Sequence, residues 1–175
     1  MCGRGVNPRP HSLDMTSVTP NSQLPIEAFA DEIRQAIERS RVVVVSGDTG
    51  SGKTTRLPRI CLEAGCGRRG RIAVTQPRRL ACVAMATRVA EESGCELGDF
   101  VGFRHRFEKE VSRQTVVEFM TDGMLLADTR SDPRLAAYDT IIIDEAHERS
   151  LNIDFLLGVL KRILKRRKDL RVIIS

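Results

Sequence analysis

An α/β fold, with a mostly parallel sheet and helices on both faces, is what this sequence predicts, on three observations. β-Branched and apolar runs recur along the chain, Val42-Val43-Val44-Val45 and Thr140-Ile141-Ile142-Ile143 being the clearest. Segments of helical periodicity separate them, and the strand-like runs lead into polar or glycine residues. A continuous apolar strand is one covered on both faces, and β-α alternation lays strands parallel, with ligands at their carboxyl ends. A length of 175 residues, 41% hydrophobic and 29% charged, suits one soluble domain.

Residues 1–24 carry Pro8, Pro10 and Pro20 among Gly, Ser, Asn and Thr, with few large apolar side chains, and are expected to be a disordered tail; residues 25–175 form the predicted domain. Pro25 opens a helix whose apolar positions Ile26, Phe29, Ile33 and Ile37 recur at helical spacing to about Ser40. The valine run is read as a strand buried on both faces. Strands are placed near 42–46, 71–75, 116–121, 139–144 and 171–175, and helices near 53–64, 79–93, 122–129 and 148–168.

Composition excludes several classes. No apolar run approaches the roughly 20 residues that cross a bilayer, and no secretory leader is recognisable, so a cytoplasmic protein without a membrane partner is expected. Cys2, Cys61, Cys66, Cys82 and Cys95 form no C-x-x-C pair, which argues for reduced, mostly buried thiols rather than disulfides or a zinc site. The net charge of +5 is concentrated where Lys161, Arg162, Lys165, Arg166, Arg167, Lys168 and Arg171 face only Asp169. A polyanion could bind such a run, but it reads first as the solvated, dipole-complementing end of a helix.

After the valine run stand Gly47, Asp48, Thr49, Gly50, Ser51, Gly52, Lys53 and Thr54, which satisfy G-x-x-x-x-G-K-[ST] between a strand and a helix. Glycines there let the backbone turn successive N–H groups toward phosphate oxygens, and the helix N-terminus adds positive potential. Lys53 would reach the β- and γ-phosphates of ATP or another nucleoside triphosphate, and the Thr54 hydroxyl would ligate Mg²⁺. The isoleucine strand delivers Asp144 and Glu145, two adjacent carboxylates that are costly at a buried strand end unless a cation meets them. Asp144 is then a second magnesium ligand, and Glu145 the base that orients and deprotonates water. Nothing in the spacing gives His147 a metal partner.

Gly-Asp-Thr-Gly-Ser-Gly-Lys-Thr-Thr (47–55), Thr-Gln-Pro-Arg-Arg (75–79), Thr-Asp-Gly-Met-Leu-Leu (121–126) and Asp-Glu-Ala-His-Glu-Arg-Ser (144–150), in that order, resemble the motifs of the DEAH-box RNA helicases. Asn152 to Gly158 looks most like the bacterial members. The resemblance implies a RecA-like P-loop NTPase domain, the first of the two such domains in that family. It adds Thr55 to the phosphate cradle, groups His147 with Lys53 and Glu145 as catalytic candidates, and sets Arg88 against the nucleotide base. It makes Arg78, Arg79 and Thr121 contacts to single-stranded RNA, with DNA left open, and likens the hairpin-like stretch at Arg104-His105-Arg106-Phe107 to a strand-contacting hook. It also implies that residues 171–175 lie between the P-loop strand and the Asp144 strand, and that a second RecA-like domain, absent from these residues, supplies arginine fingers, so that turnover here is weak. The alternatives are a non-catalytic RNA-binding P-loop module and a small-molecule kinase; no acceptor pocket or lid is recognisable for the latter.

Overall fold

The computed structural model describes residues 24–175, so the predicted tail lies outside the described residues except for Leu24. Pro25–Phe29 make a 3₁₀ turn that runs into α1 (Ala30–Arg39), the proline standing in the first turn, where its missing N–H leaves no hydrogen bond unmade. There follow β1 (Val42–Val44), α2 (Lys53–Glu63), β2 (Arg71–Gln76), α3 (Arg79–Glu92), β3 (Val101–His105), β4 (Glu108–Glu110), β5 (Val117–Thr121), α4 (Asp122–Ser131), β6 (Tyr138–Ile143), α5 (Leu151–Arg166) and β7 (Arg171–Ile174). The described strands form a seven-stranded sheet in the order β1-β7-β6-β2-β5-β3-β4, parallel throughout except for the β3–β4 hairpin.

Because side chains alternate along a strand, each central strand feeds two cores. Ile72, Val74, Ile142 and Ile173 pack with Ile37 of α1, Leu57 and Ile60 of α2 and Val89 of α3 on one face. Ala73, Ile141, Ile143 and Val172 pack with Leu125 of α4 and Leu156, Leu160 and Ile163 of α5 on the other. All six residues of β6 are buried, which places the strand that ends at Asp144 in the best-covered part of the sheet.

The same order corrects the reading of the valine strand. β1 is the edge of the described sheet, Val42 and Val44 are exposed, the latter at 70%, and only Val43 and Val45 reach the core. A β-branched run reports strand propensity; which strands lie beside it is decided by topology. The strand expected between the P-loop strand and the Asp144 strand does lie there: β7 pairs with β1 through Val42, Val43 and Val44 and with β6 through Thr140 to Ile143.

Three other local expectations change. α5 starts at Leu151 rather than near 148, because Arg149 adopts a left-handed φ of 50° and the Ser150 hydroxyl accepts a hydrogen bond from the Ile153 amide as an N-cap. Ser150→Ala should lower stability by about 1 kcal/mol, read as a shift of the urea midpoint at constant slope. Residues 101–110 form two strands where only a hairpin-like stretch was foreseen, and Arg104 turns inward to Glu118, Asp128 and Tyr138 instead of outward as a hook. Within the basic run, Arg167 is buried, donating to the carbonyl oxygens of Leu135 and Tyr138 and pairing with Asp169, and Arg171 donates to the Ile37 carbonyl. Cys61, Cys66 and Cys82 are buried free thiols and Cys95 is half-buried; burial pushes the Cys82 thiol up to about 12. Cys2 lies outside the described residues.

Candidate nucleotide and strand-binding site

The loop from Gly47 to Gly52 joins β1 to α2. Its turn depends on Gly50 and Gly52, whose φ values of 82° and 90° lie in the left-handed region, and a Cβ on Gly52 would come within 2.8 Å of Leu24 Cδ1. Gly52 is the N-cap of α2 and contributes no side-chain acceptor, so the first amides of that helix point toward the loop without a capping partner. Lys53 Nζ reaches back into the same loop, donating to the carbonyl oxygens of Gly47 at 2.6 Å and Asp48 at 2.9 Å and to Ser51 Oγ at 3.3 Å. An ammonium and a set of helix N-terminal amides thus converge on one concavity, which is the chemistry of an anion site.

Opposite the loop, β6 delivers Asp144, only 1% exposed. Its Oδ2 accepts from Thr54 Oγ1 at 2.6 Å and from Gln76 Nε2 at 2.6 Å, while Oδ1 is buried without a hydrogen-bond donor. A buried carboxylate oxygen without a donor is costly by about 1–3 kcal/mol or more, and a divalent cation fits it; Thr54 and Asp144 are the groups that could hold one. Glu145 follows with φ 54° and ψ 35°, a left-handed conformation that a non-glycine residue adopts at a cost. The turn is held by Ser175, the residue after β7: its amide donates to the Ile143 carbonyl, and the Ala146 amide donates to its carbonyl. Glu145, His147, Arg88, Lys53, Thr54 and Thr55 all line one cleft of about 780 Å³, a size that suits a nucleotide.

His147 Nε2 stands 3.4 Å from Glu145 Oε2, with its own ring largely exposed. Arg88 Nε donates to Glu92 at 2.8 Å, so the ordinary pairing along α3 is made even though the side chain borders the cleft. Arg78 and Arg79 stand at the start of α3, and Thr121 stands at the N-cap position of α4 without a side-chain capping bond, in register with Gln76 across β2 and β5. Arg78 pairs loosely with Glu148 at 3.4 Å. Arg79 lies 4.9 Å from the centre of the exposed Phe107 ring at the tip of the β3–β4 hairpin, a cation–π contact.

Two residues of the site were missed in the sequence. Gln76 belongs to the Thr-Gln-Pro-Arg-Arg segment whose arginines the resemblance assigns to RNA, yet its own side chain is buried and binds Asp144. Asp122 is buried with Oδ1 unpartnered; burial first, then the charges of Glu148 and Asp144, raise its pKa against the Thr75 hydroxyl. For Gln76 the available signal was a polar residue ending an apolar strand of a parallel sheet, where ligands and their supports gather.

A phosphate-type loop facing a strand-borne aspartate, with one strand between their two strands, defines a RecA-like P-loop nucleotide-binding domain. The sequence profile of the DEAD/DEAH box helicases matches residues 28–174, and the chain belongs to that family. It is 54% identical over 158 residues to the ATP-dependent RNA helicase HrpA of Escherichia coli (strain K12), covering 90% of this chain and 12% of that protein. To the ATP-dependent RNA helicase HrpA of Borreliella burgdorferi it is 49% identical, over 87% of this chain and 19% of that protein. A probable ATP-dependent RNA helicase, the DHX35 homolog of Caenorhabditis elegans, is 50% identical over 87% of this chain and 21% of its own length, so the likeness extends beyond bacteria. The chain therefore spans about an eighth to a fifth of the length of these relatives. No helix among the described residues is long and apolar enough to cross a membrane.

Proposed function

We propose that this chain is the nucleoside-triphosphate- and magnesium-binding motor domain of an ATP-dependent RNA helicase. The observation that carries the reading is the 2.6 Å contact between Thr54 Oγ1 and Asp144 Oδ2, which unites the phosphate loop and the acidic strand end at one point. In this reading the amides of residues 47–53 and the Lys53 ammonium bind the β- and γ-phosphates, Arg88 leaves Glu92 to lie against the base, and Thr55 completes the cradle. Thr54 and Asp144 would hold Mg²⁺, whose charge offsets that developing on the phosphates. Glu145 orients the attacking water and takes its proton, and His147, 3.4 Å away, positions the Glu145 carboxylate.

Single-stranded RNA is the proposed polyanion partner, gripped through its phosphates by Arg78, Arg79 and Thr121, with affinity that falls with salt and little preference for sequence. A second RecA-like domain, closing over the cleft and supplying arginines, is the proposed partner for full activity, since such arginines are worth on the order of 10³ to 10⁵ in rate. An acid held in a left-handed backbone conformation at Glu145 favours a hydrolase over a binding module without chemistry.

Lys53→Ala tests the core of this reading. Losing a charge-assisted contact of about 1.5–3 kcal/mol should weaken a fluorescent ADP analogue by roughly 10- to 150-fold in the presence of Mg²⁺. Equal affinity of the two proteins, at equal thermal midpoints, would remove the nucleotide site from Gly47–Thr54.

A further inference from the structure

Gln76 is the last residue of β2, and three connections meet there. Its side chain is buried and donates to Asp144 Oδ2 at 2.6 Å, sharing that oxygen with Thr54. Its backbone is in register with Thr121 at the end of β5. Through Pro77 it leads directly to Arg78 and Arg79 at the start of α3. With Oδ2 occupied by two donors, Asp144 has little freedom to rotate, and Oδ1 is left buried without a hydrogen-bond donor. A donor that orients a metal-binding carboxylate in this way commonly controls metal affinity.

The geometry points to Gln76 as a positioning residue that couples the two binding functions: it fixes Asp144 for magnesium and transmits to it the state of the strand-binding end of β2. This rests on the nucleotide and RNA reading above. A nucleic-acid strand seated on Arg78, Arg79 and Thr121 holds the end of β2 on both sides of Gln76. The amide then stays on Asp144, and Mg²⁺·nucleotide binds more tightly; by linkage, bound Mg²⁺·nucleotide tightens the grip on the strand by the same factor. No titration and no bond exchange is involved, only the direction in which one carboxylate is held.

The test uses the whole chain, a fluorescent ADP analogue, and Mg²⁺ titrated from a chelated baseline, each with and without a single-stranded oligouridylate. The variants are Gln76→Leu, which keeps the volume and loses the donor, and Gln76→Glu, which keeps the length and sets a second carboxylate against Asp144. Gln76→Leu should bind nucleotide without Mg²⁺ as the unaltered chain does, require about 10- to 100-fold more Mg²⁺ for the full enhancement, and lose the effect of the oligonucleotide on that requirement. Gln76→Glu should lose the oligonucleotide effect as well. A buried amide with only a packing role would lower the thermal midpoint in Gln76→Leu while leaving the Mg²⁺ requirement in place, and that result overturns the inference. An oligonucleotide effect as large in Gln76→Leu as in the unaltered chain, or absent from the unaltered chain, overturns the coupling. If the unaltered chain shows no Mg²⁺-dependent nucleotide binding at all, the proposed function falls first and this inference with it.

Discussion

Glu145→Gln should slow nucleotide hydrolysis by on the order of 10²- to 10⁴-fold while leaving nucleotide affinity unchanged. The substitution preserves length and hydrogen bonding but removes the basic oxygen that accepts the proton of water. Glu145 stands one residue beyond Asp144 and is turned out of the strand direction by its left-handed backbone, so it lines the cleft without sharing the buried contacts of Asp144. Single-turnover phosphate release, with protein in excess over labelled ATP, measures the chemical step. A Glu145→Gln protein that releases phosphate at the rate of the unaltered chain would show that another group activates the water. Loss of nucleotide affinity in the same protein would point instead to a cradle role for Glu145.

The second large effect concerns the fold. Glu118, 1% exposed on β5, accepts from Arg104 Nε at 2.7 Å and from Arg71 Nη1 at 2.9 Å. Arg104 also reaches both oxygens of Asp128 and the Tyr138 hydroxyl, tying β3 to α4 and β6. The Asp128 contact, opposed by burial, raises the arginine further above its ordinary value, and burial likewise raises the Tyr138 hydroxyl. Arg104→Met should cost about 3 kcal/mol, at the lower end of the 3–5 kcal/mol for breaking a buried pair, because Arg71 still faces Glu118. Adding Glu118→Leu should cost less than the two single changes together, since the stranded carboxylate is then gone. Urea unfolding of the four proteins measures the cycle; an Arg104→Met change of only a few tenths of a kcal/mol would mean that the network is solvated and contributes little.

The inward course of Arg104 shows where reading the sequence stops. As text, Arg104-His105-Arg106-Phe107 is a basic stretch with an aromatic, open to a role on a nucleic-acid strand. Folded, Arg104 is taken by acids 14 and 24 residues away, and only the tip beyond it reaches Arg79. Arg88 is a milder case, since its partner Glu92 is four residues along the same helix and the pairing was foreseeable from spacing alone.

The alternation of strands and helices, the glycine turn before Lys53 and the acid pair after the isoleucine strand were legible in the sequence because each is set by neighbours within a few residues: β-branched propensity, helical periodicity, and a left-handed φ that only glycine adopts freely. Tertiary structure alone decided what lies beside what. It made the valine strand an edge, placed Gln76 against Asp144 across 68 residues, and buried Arg167 under distant carbonyl groups. Those contacts follow from strand order and sheet register, which are properties of the whole chain's packing, and no local propensity encodes them.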